Sequence, residues 1–387
     1  MYNFDERIIQ KGTTDEKHDQ LLEFFPRDDL LPMWVAEMDF QSAPSVNEAL
    51  LKRVKHGIYG YTYRSDSYYQ SIIDWYKEEH ESVITKEMLS FDTGVVKAVF
   101  EMIRIFSKEG DSILVPMPAY PQFSKAISLS KRKLVKFDLT NHNNRYYFDF
   151  DALKQALSSC KLFILCSPHN PGGRVWSKEE LSKIVQICDE TNTILISDEI
   201  HCDLTMNHQK FTSLISISEH AIVINSASKS FNLAGLQHSY NLCRDVEMQK
   251  KIEEHYFNNK IKSTNLLSMT ALEGAYLGGR DWLHELRDYL YENYNIVNNF
   301  VKEHHLNIPV FELEAGYLMW LDFIAYFSEA SELEDFLVNT CHIATTFGSN
   351  FDEKCGCFTR LNVGTQHFIC VEAMNRILLG LKERGKI

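Results

Sequence analysis

The segment Ser226-Ala-Ser-Lys229-Ser-Phe-Asn-Leu-Ala-Gly-Leu236 places two hydroxyls just before a lysine and a glycine six residues after it. A lysine amine is a covalent nucleophile only when it can shed its proton, which needs partial burial or a nearby cation. Alone, Ser-x-Ser-Lys reads more simply as a solvated loop, so the weight falls on its companions. Asp198, in Ile196-Ser-Asp-Glu-Ile-His-Cys-Asp203, ends an apolar run. A carboxylate there costs desolvation unless it meets a cation or hydrogen-bond donors. A protonated pyridine nitrogen would satisfy it, and the carboxylate would keep that nitrogen protonated, so that the ring can accept electrons. Glu199 is the weaker candidate, because the period of two along a strand sends it to the opposite face.

Four further segments offer compatible chemistry. In Ser167-Pro-His-Asn-Pro-Gly-Gly-Arg174 the prolines and glycines build a dense turn that can hold the Asn170 amide rigidly as a donor. Thr93-Gly94-Val95-Val96 leads from a short strand into a helix, whose free N–H groups suit an anion such as a phosphate. Ser226 and Ser228 can add hydroxyl donors to that site. Tyr120, in Pro118-Ala-Tyr-Pro-Gln-Phe123, can stack on a planar ring. Arg360, in Phe358-Thr-Arg-Leu-Asn-Val-Gly364, interrupts a β-type run, and an inward guanidinium binds a carboxylate bidentately. Each has a bland reading: a structural turn, an ordinary helix start, a core tyrosine, a surface arginine.

These residues need elements that bring them together. From about 89 to 245, short apolar runs (Ser112–Val115, Leu162–Cys166, Ile194–Ser197, Ile222–Asn225, Tyr240–Cys243) alternate with helical patterns such as Val95–Phe106 and Lys178–Glu190, the latter N-capped by Ser177. Continuous apolar strands between amphipathic helices predict a mainly parallel sheet covered on both faces. Ligands bind outside the carboxyl ends of such strands. Asn170, Asp198 and the Ser226–Lys229 segment all fall there. Beyond about 285 the rhythm changes: a helix over roughly Asp281–His304, a β run at Tyr317–Phe323, a helix near Ser331–Thr340 and a strand at Phe358–Val363 predict a smaller α+β unit. We expect a large α/β domain over 46–284 and a small α+β domain, 1–45 with 285–387, closing over the site.

The 387 residues are 44% hydrophobic and 24% charged, ordinary for a globular chain with a large core. The net charge of −13 disfavours nonspecific binding to nucleic acid or anionic lipid. No apolar run approaches a membrane span, and the charged first twenty residues lack the apolar stretch of a leader. Most of the nine scattered cysteines read as buried free thiols, and Cys355-x-Cys357 without a second Cys or His pair is weak evidence for zinc. The expected location is the cytoplasm.

Gly94, Tyr120, Asn170, Asp198, Lys229 and Arg360, in this order and with their neighbours, resemble the fold-type I pyridoxal phosphate (PLP) enzymes of the class I/II aminotransferase superfamily over nearly the whole chain. Pro32-Met-Trp-Val-Ala-Glu-Met-Asp-Phe40, Tyr59-Gly-Tyr-Thr62, Ser167–Trp176, Ser197–His201 and the Lys229 segment resemble, more narrowly, the bacterial cystathionine β-lyase group of the MalY/PatB type. The resemblance implies the fold-type I architecture with a seven-stranded sheet, and PLP as cofactor. It implies that Lys229 carries the cofactor and acts as base, with Asp198 on the pyridine nitrogen and Tyr120 stacked on the ring. Asn170 would meet the ring oxygen and, with Arg360, the substrate. Gly94, Val95, Val96, Ser226 and Ser228 would line the phosphate, and His201 would lie near the ring. It further implies a homodimer with shared sites, Tyr61 reaching the phosphate of the partner's cofactor. Many superfamily members place an arginine where this chain has Gln237, followed by His238, which leaves open how the phosphate charge is met. The expected activity is α,β-elimination from an S-substituted cysteine to a thiol, pyruvate and ammonia. An aminotransferase is the alternative, and a binding or regulatory protein on the same fold a third reading.

Overall fold

The computed structural model describes residues 2–206, 208–261 and 265–387. Seven strands form the central sheet: β1 (Leu89–Asp92), β2 (Ser112–Met117), β3 (Lys133–Asp138), β4 (Leu162–Cys166), β5 (Ile194–Asp198), β6 (Ile222–Asn225) and β7 (Ser239–Cys243). Their order is β1-β7-β6-β5-β4-β2-β3. Only β7 runs against its neighbours, β1 and β6; the other pairings are parallel. The expected α/β class, with a mainly parallel seven-stranded sheet, is the class observed.

The apolar runs are continuous because each strand feeds two cores. In β4, Leu162, Ile164 and Cys166 join one core, while Phe163 and Leu165 join the other. Likewise Ile222 and Ile224 of β6 face one side and Val223 the other. Val95–Phe106 covers one face; Lys178–Thr191, closed by a Ser177/Glu180 capping box, covers the opposite one. At the carboxyl ends of adjacent β4, β5 and β6, three loops open on one crevice. The turn after β1 emerges at the same edge, because two reversals bring β1 parallel in direction to β6.

A second sheet, antiparallel, is built from β8 (Leu318–Asp322), β9 (Thr346–Phe347) and β10 (Phe358–Asn362) in the order β8-β10-β9. The helix Arg280–Glu303 precedes it and His367–Glu383 ends it. The N-terminal stretch joins this part of the chain: Leu31–Pro32 pairs in parallel with Ile343–Ala344. All nine cysteines are buried free thiols, as expected.

Candidate active site

A cavity of about 520 Å³ opens where the loops meet, lined among others by Gly94, Tyr120, Asn170, Asp198, His201 and Lys229. Thr93, Val95, Val96 and Ser228 line it too. Most of the residues picked out by their chemistry thus share one wall system.

Lys229 lies on the loop after β6, and its Nζ donates to the Ala36 carbonyl at 2.6 Å. Burial, and then the charge of Arg360, lower its pKa to about 8. The cost of dehydrating an ammonium thus produces the neutral amine that a nucleophile requires. Asp198 ends β5. Its carboxylate accepts one backbone hydrogen bond, from Ile200 N at 3.1 Å, and burial lifts its pKa to about 7. A buried acid with so few donors gains most from a cation placed against it. Glu199, on the other face, is absorbed by Ser213, Leu214 and Ser197 and stays outside the site.

Asn170 is held by the turn beneath it. Gly173 adopts φ +65°, and a Cβ there would come within 3.2 Å of the Glu312 carbonyl, so the turn requires glycine. Buried Glu314 ties the turn down, accepting from Val175 N at 2.6 Å, Arg174 Nη1 at 3.2 Å and Arg145 Nε at 2.6 Å. The Asn170 Oδ1 accepts from Arg360 Nη1 at 3.2 Å, which joins the two residues expected at the substrate. Arg360 sits on β10. Its Nη2 donates to the Trp34 carbonyl and to Thr346, both at 3.2 Å, and its Nε is buried without a partner among the described residues. It pairs with no carboxylate among the described residues, and burial lowers its pKa to about 10. An incoming carboxylate would complete it.

His201 lines the cavity as a neutral imidazole, its pKa lowered to about 3 by burial and then by Lys229 and Arg360. Its Nδ1 has no hydrogen-bond partner among the described residues. Three expected residues are not on the cavity lining: Arg360, which reaches Asn170 from β10, Ser226 and Tyr61. The Ser226 hydroxyl turns inward, donating to the His238 carbonyl at 2.6 Å and accepting from Ser228 N at 3.0 Å, so Ser228 is the serine on the cavity wall. Tyr61 is fully exposed, outside this cavity. Ala36, Gln237 and His238 also line the cavity, and Tyr317 supports it from behind. Ala36 lies inside the Pro32–Phe40 segment, but a backbone carbonyl has no signature in residue type.

The chain belongs to the aminotransferase class I and II family, whose model matches residues 29–377. It is 34% identical to cystathionine beta-lyase PatB of Bacillus subtilis, over 98% of this chain and 100% of that protein. It is 30% identical to protein MalY of Escherichia coli, over 94% and 95% of the two chains. Among solved structures, cystalysin from Treponema denticola, which contains a pyridoxal 5′-phosphate cofactor, superposes with a TM-score of 0.95 at 29% identity, covering 99% of this chain and 100% of that one.

The cavity fits such a cofactor. Gly94 precedes the Val95–Phe106 helix without a side-chain cap, leaving N–H groups free for a phosphate. Asp198 offers a buried carboxylate to a ring nitrogen, Tyr120 a flat face, and Lys229 an amine of lowered pKa. In cofactor-free protein the rate of PLP capture should therefore rise with pH and level off above about 8, set by the Lys229 amine. A midpoint near the ordinary lysine value of 10.5 would contradict this burial effect.

Proposed function

We propose that the chain is a PLP-dependent carbon–sulfur β-lyase, cleaving L-cystathionine, L-cysteine or related S-substituted cysteines to a thiol, pyruvate and ammonia. What carries the reading is end-to-end likeness to a cystathionine β-lyase, together with a cavity lined by Lys229 and Asp198 whose Asn170 is bonded to Arg360. Pyridoxal phosphate, when bound, supplies the electron sink that makes a proton at Cα removable.

The chain's own residues do the rest. Arg360, steadied by Asn170, takes the substrate carboxylate and so fixes Cα relative to Lys229. Lys229 would hold the cofactor covalently, and when its amine is free it is the base that takes the Cα proton. Asp198 holds a proton on the ring nitrogen, and Tyr120 limits tilting of the ring. The helix start at Val95–Val96, with Ser228, anchors the phosphate. With a sulfur substituent on Cβ, the electron pair left at Cα breaks the Cβ–S bond and sulfur leaves as a thiolate; the released 2-aminoacrylate takes up water to give pyruvate and ammonia.

We also propose a homodimer in which exposed Tyr61 enters the partner's site; exposed Ile58, Tyr59 and Tyr63 on the same stretch support that reading. The division into a domain of residues 46–284 and a closing domain of 1–45 with 285–387 belongs to the same proposal, supported by the pairing of Leu31–Pro32 with Ile343–Ala344. No helix among the described residues is long and apolar enough to cross a membrane. A cytoplasmic location is proposed from the nine buried free thiols. Steady-state rates with cystathionine, cysteine, and alanine plus a 2-oxo acid test the activity. The first two should far exceed the third; the reverse order would favour an aminotransferase.

A further inference from the structure

Residues 34–40 cross the cavity wall without forming helix or strand. Carbonyls of irregular segments usually turn to water, since backbone acceptors must be satisfied somewhere. Here every carbonyl from Trp34 to Phe40 accepts from a side chain instead. Trp34 O takes Arg360 Nη2 and, at 2.8 Å, Thr346 Oγ1. Val35 O and Glu37 O share Asn362 Nδ2 at 2.5 and 2.7 Å. Met38 O and Phe40 O share Asn232 Nδ2 at 2.8 and 3.0 Å, and Asn232 Oδ1 also accepts from Met38 N at 3.0 Å. Asp39 O takes Gln366 Nε2 at 3.0 Å. The central carbonyl, Ala36 O, takes both Lys229 Nζ at 2.6 Å and the Tyr317 hydroxyl at 2.9 Å.

The clamp is anchored on both functional arms. Asn232 follows Lys229 by three residues, and Asn362 follows Arg360 by two. One rigid strap therefore links the lysine loop to the arginine strand, and its middle carbonyl is aimed at the lysine. Tyr317 is fully buried and touches the lysine's acceptor, which makes it a positioning residue.

We propose that the Ala36 carbonyl, aimed by Tyr317, docks the Lys229 amine once it has taken the Cα proton, and that this docking favours elimination over amino-group transfer. The inference rests on the lyase reading above. Removing the proton breaks Cα–H and turns the amine into an ammonium with three donors. A fixed carbonyl oxygen at hydrogen-bond distance favours that charged form. In elimination the Cβ–S bond then breaks, its electron pair leaves with sulfur, Cα=Cβ forms, and the proton stays on Lys229 until it passes to the thiolate or water. In amino-group transfer the same proton must instead move from Nζ to a carbon of the cofactor, while the amino nitrogen stays behind. An ammonium held at Ala36 O delivers it more slowly.

Tyr317→Phe removes the hydroxyl and keeps the ring. In holoenzyme given cystathionine without a 2-oxo acid, pyridoxamine phosphate formed per pyruvate released should rise about tenfold, the size of effect one hydrogen bond carries. In the cofactor-free variant the Ala36 carbonyl is no longer aimed at Lys229 and holds its ammonium less well, so the pH midpoint of PLP capture should fall below the wild-type value of about 8. An unchanged or lowered product ratio, or an unchanged or raised midpoint, overturns the proposal. Circular dichroism melts report whether the fold is kept. If this variant does not fold, Asn362→Ser, which frees the carbonyls flanking Ala36, is put through the same two measurements. Wild type yielding no pyruvate without an acceptor would sink the lyase reading itself; wild type eliminating while the variant partitions identically would sink only this inference.

Discussion

Replacing Lys229 by alanine is expected to cut kcat for cystathionine cleavage by about 10³- to 10⁴-fold, the upper part of the range lost with a positioned general base. It should also remove the covalent, borohydride-reducible attachment of the cofactor. Both effects have one origin. The amine is buried, lies against the Ala36 carbonyl at 2.6 Å, and has its pKa lowered to about 8. It is thus the base available near Cα, and Asp198 and His201 cannot replace it. Asp198 faces the ring nitrogen in this scheme, and His201, with its pKa lowered to about 3, is too weak a base. Borohydride reduction followed by peptide mass mapping should place the cofactor on the tryptic peptide containing Lys229. A reducible attachment of equal intensity in Lys229→Ala would assign the role to another lysine.

The second large effect is expected at Asp198. Asp198→Asn keeps the size of the side chain and removes its charge, and kcat should fall about 10²- to 10³-fold, as when one preorganised electrostatic partner is lost. Burial raises the pKa of this carboxyl to about 7, and a cationic ring nitrogen against it would restore the ionised form. In that arrangement the aspartate and the nitrogen would stabilise each other's charge. The asparagine variant should bind PLP more weakly and show a shifted absorbance spectrum even before substrate is added. Wild-type kcat with an unaltered spectrum would show that Asp198 does not meet the ring.

Much of this site is legible in the sequence because parallel strands deliver their following loops to one edge. Asn170, Asp198 and Lys229 are each read from an apolar run that stops at a polar residue, and the structure puts all three on one cavity. The Val95–Phe106 helix and the Ser177 cap are legible for the same local reasons. Other features are written less clearly. The edge strand β3 mixes Lys133, Lys136 and Asp138 with apolar residues, the charged pattern that protects an open edge and blurs a strand. The helix Leu266–Gly278 packs against Pro44–His56 and is apolar on most sides, so it lacks a helical stripe. Ser226 and Ser228 are equivalent by type, and only the hydrogen bond to the His238 carbonyl separates the inward one from the cavity one. The strap from Trp34 to Phe40 is visible as a sequence word, but its work is done by main-chain carbonyls, and their partners lie far away in the chain.

The activity is tested most directly by incubating purified protein with PLP and L-cystathionine in the absence of any added 2-oxo acid, and following thiol, pyruvate and ammonia together with the state of the cofactor. The β-lyase reading predicts equal amounts of the three products over many turnovers, with no accumulation of pyridoxamine phosphate. Turnover that starts only when a 2-oxo acid is added, with pyridoxamine phosphate accumulating before that, would contradict it.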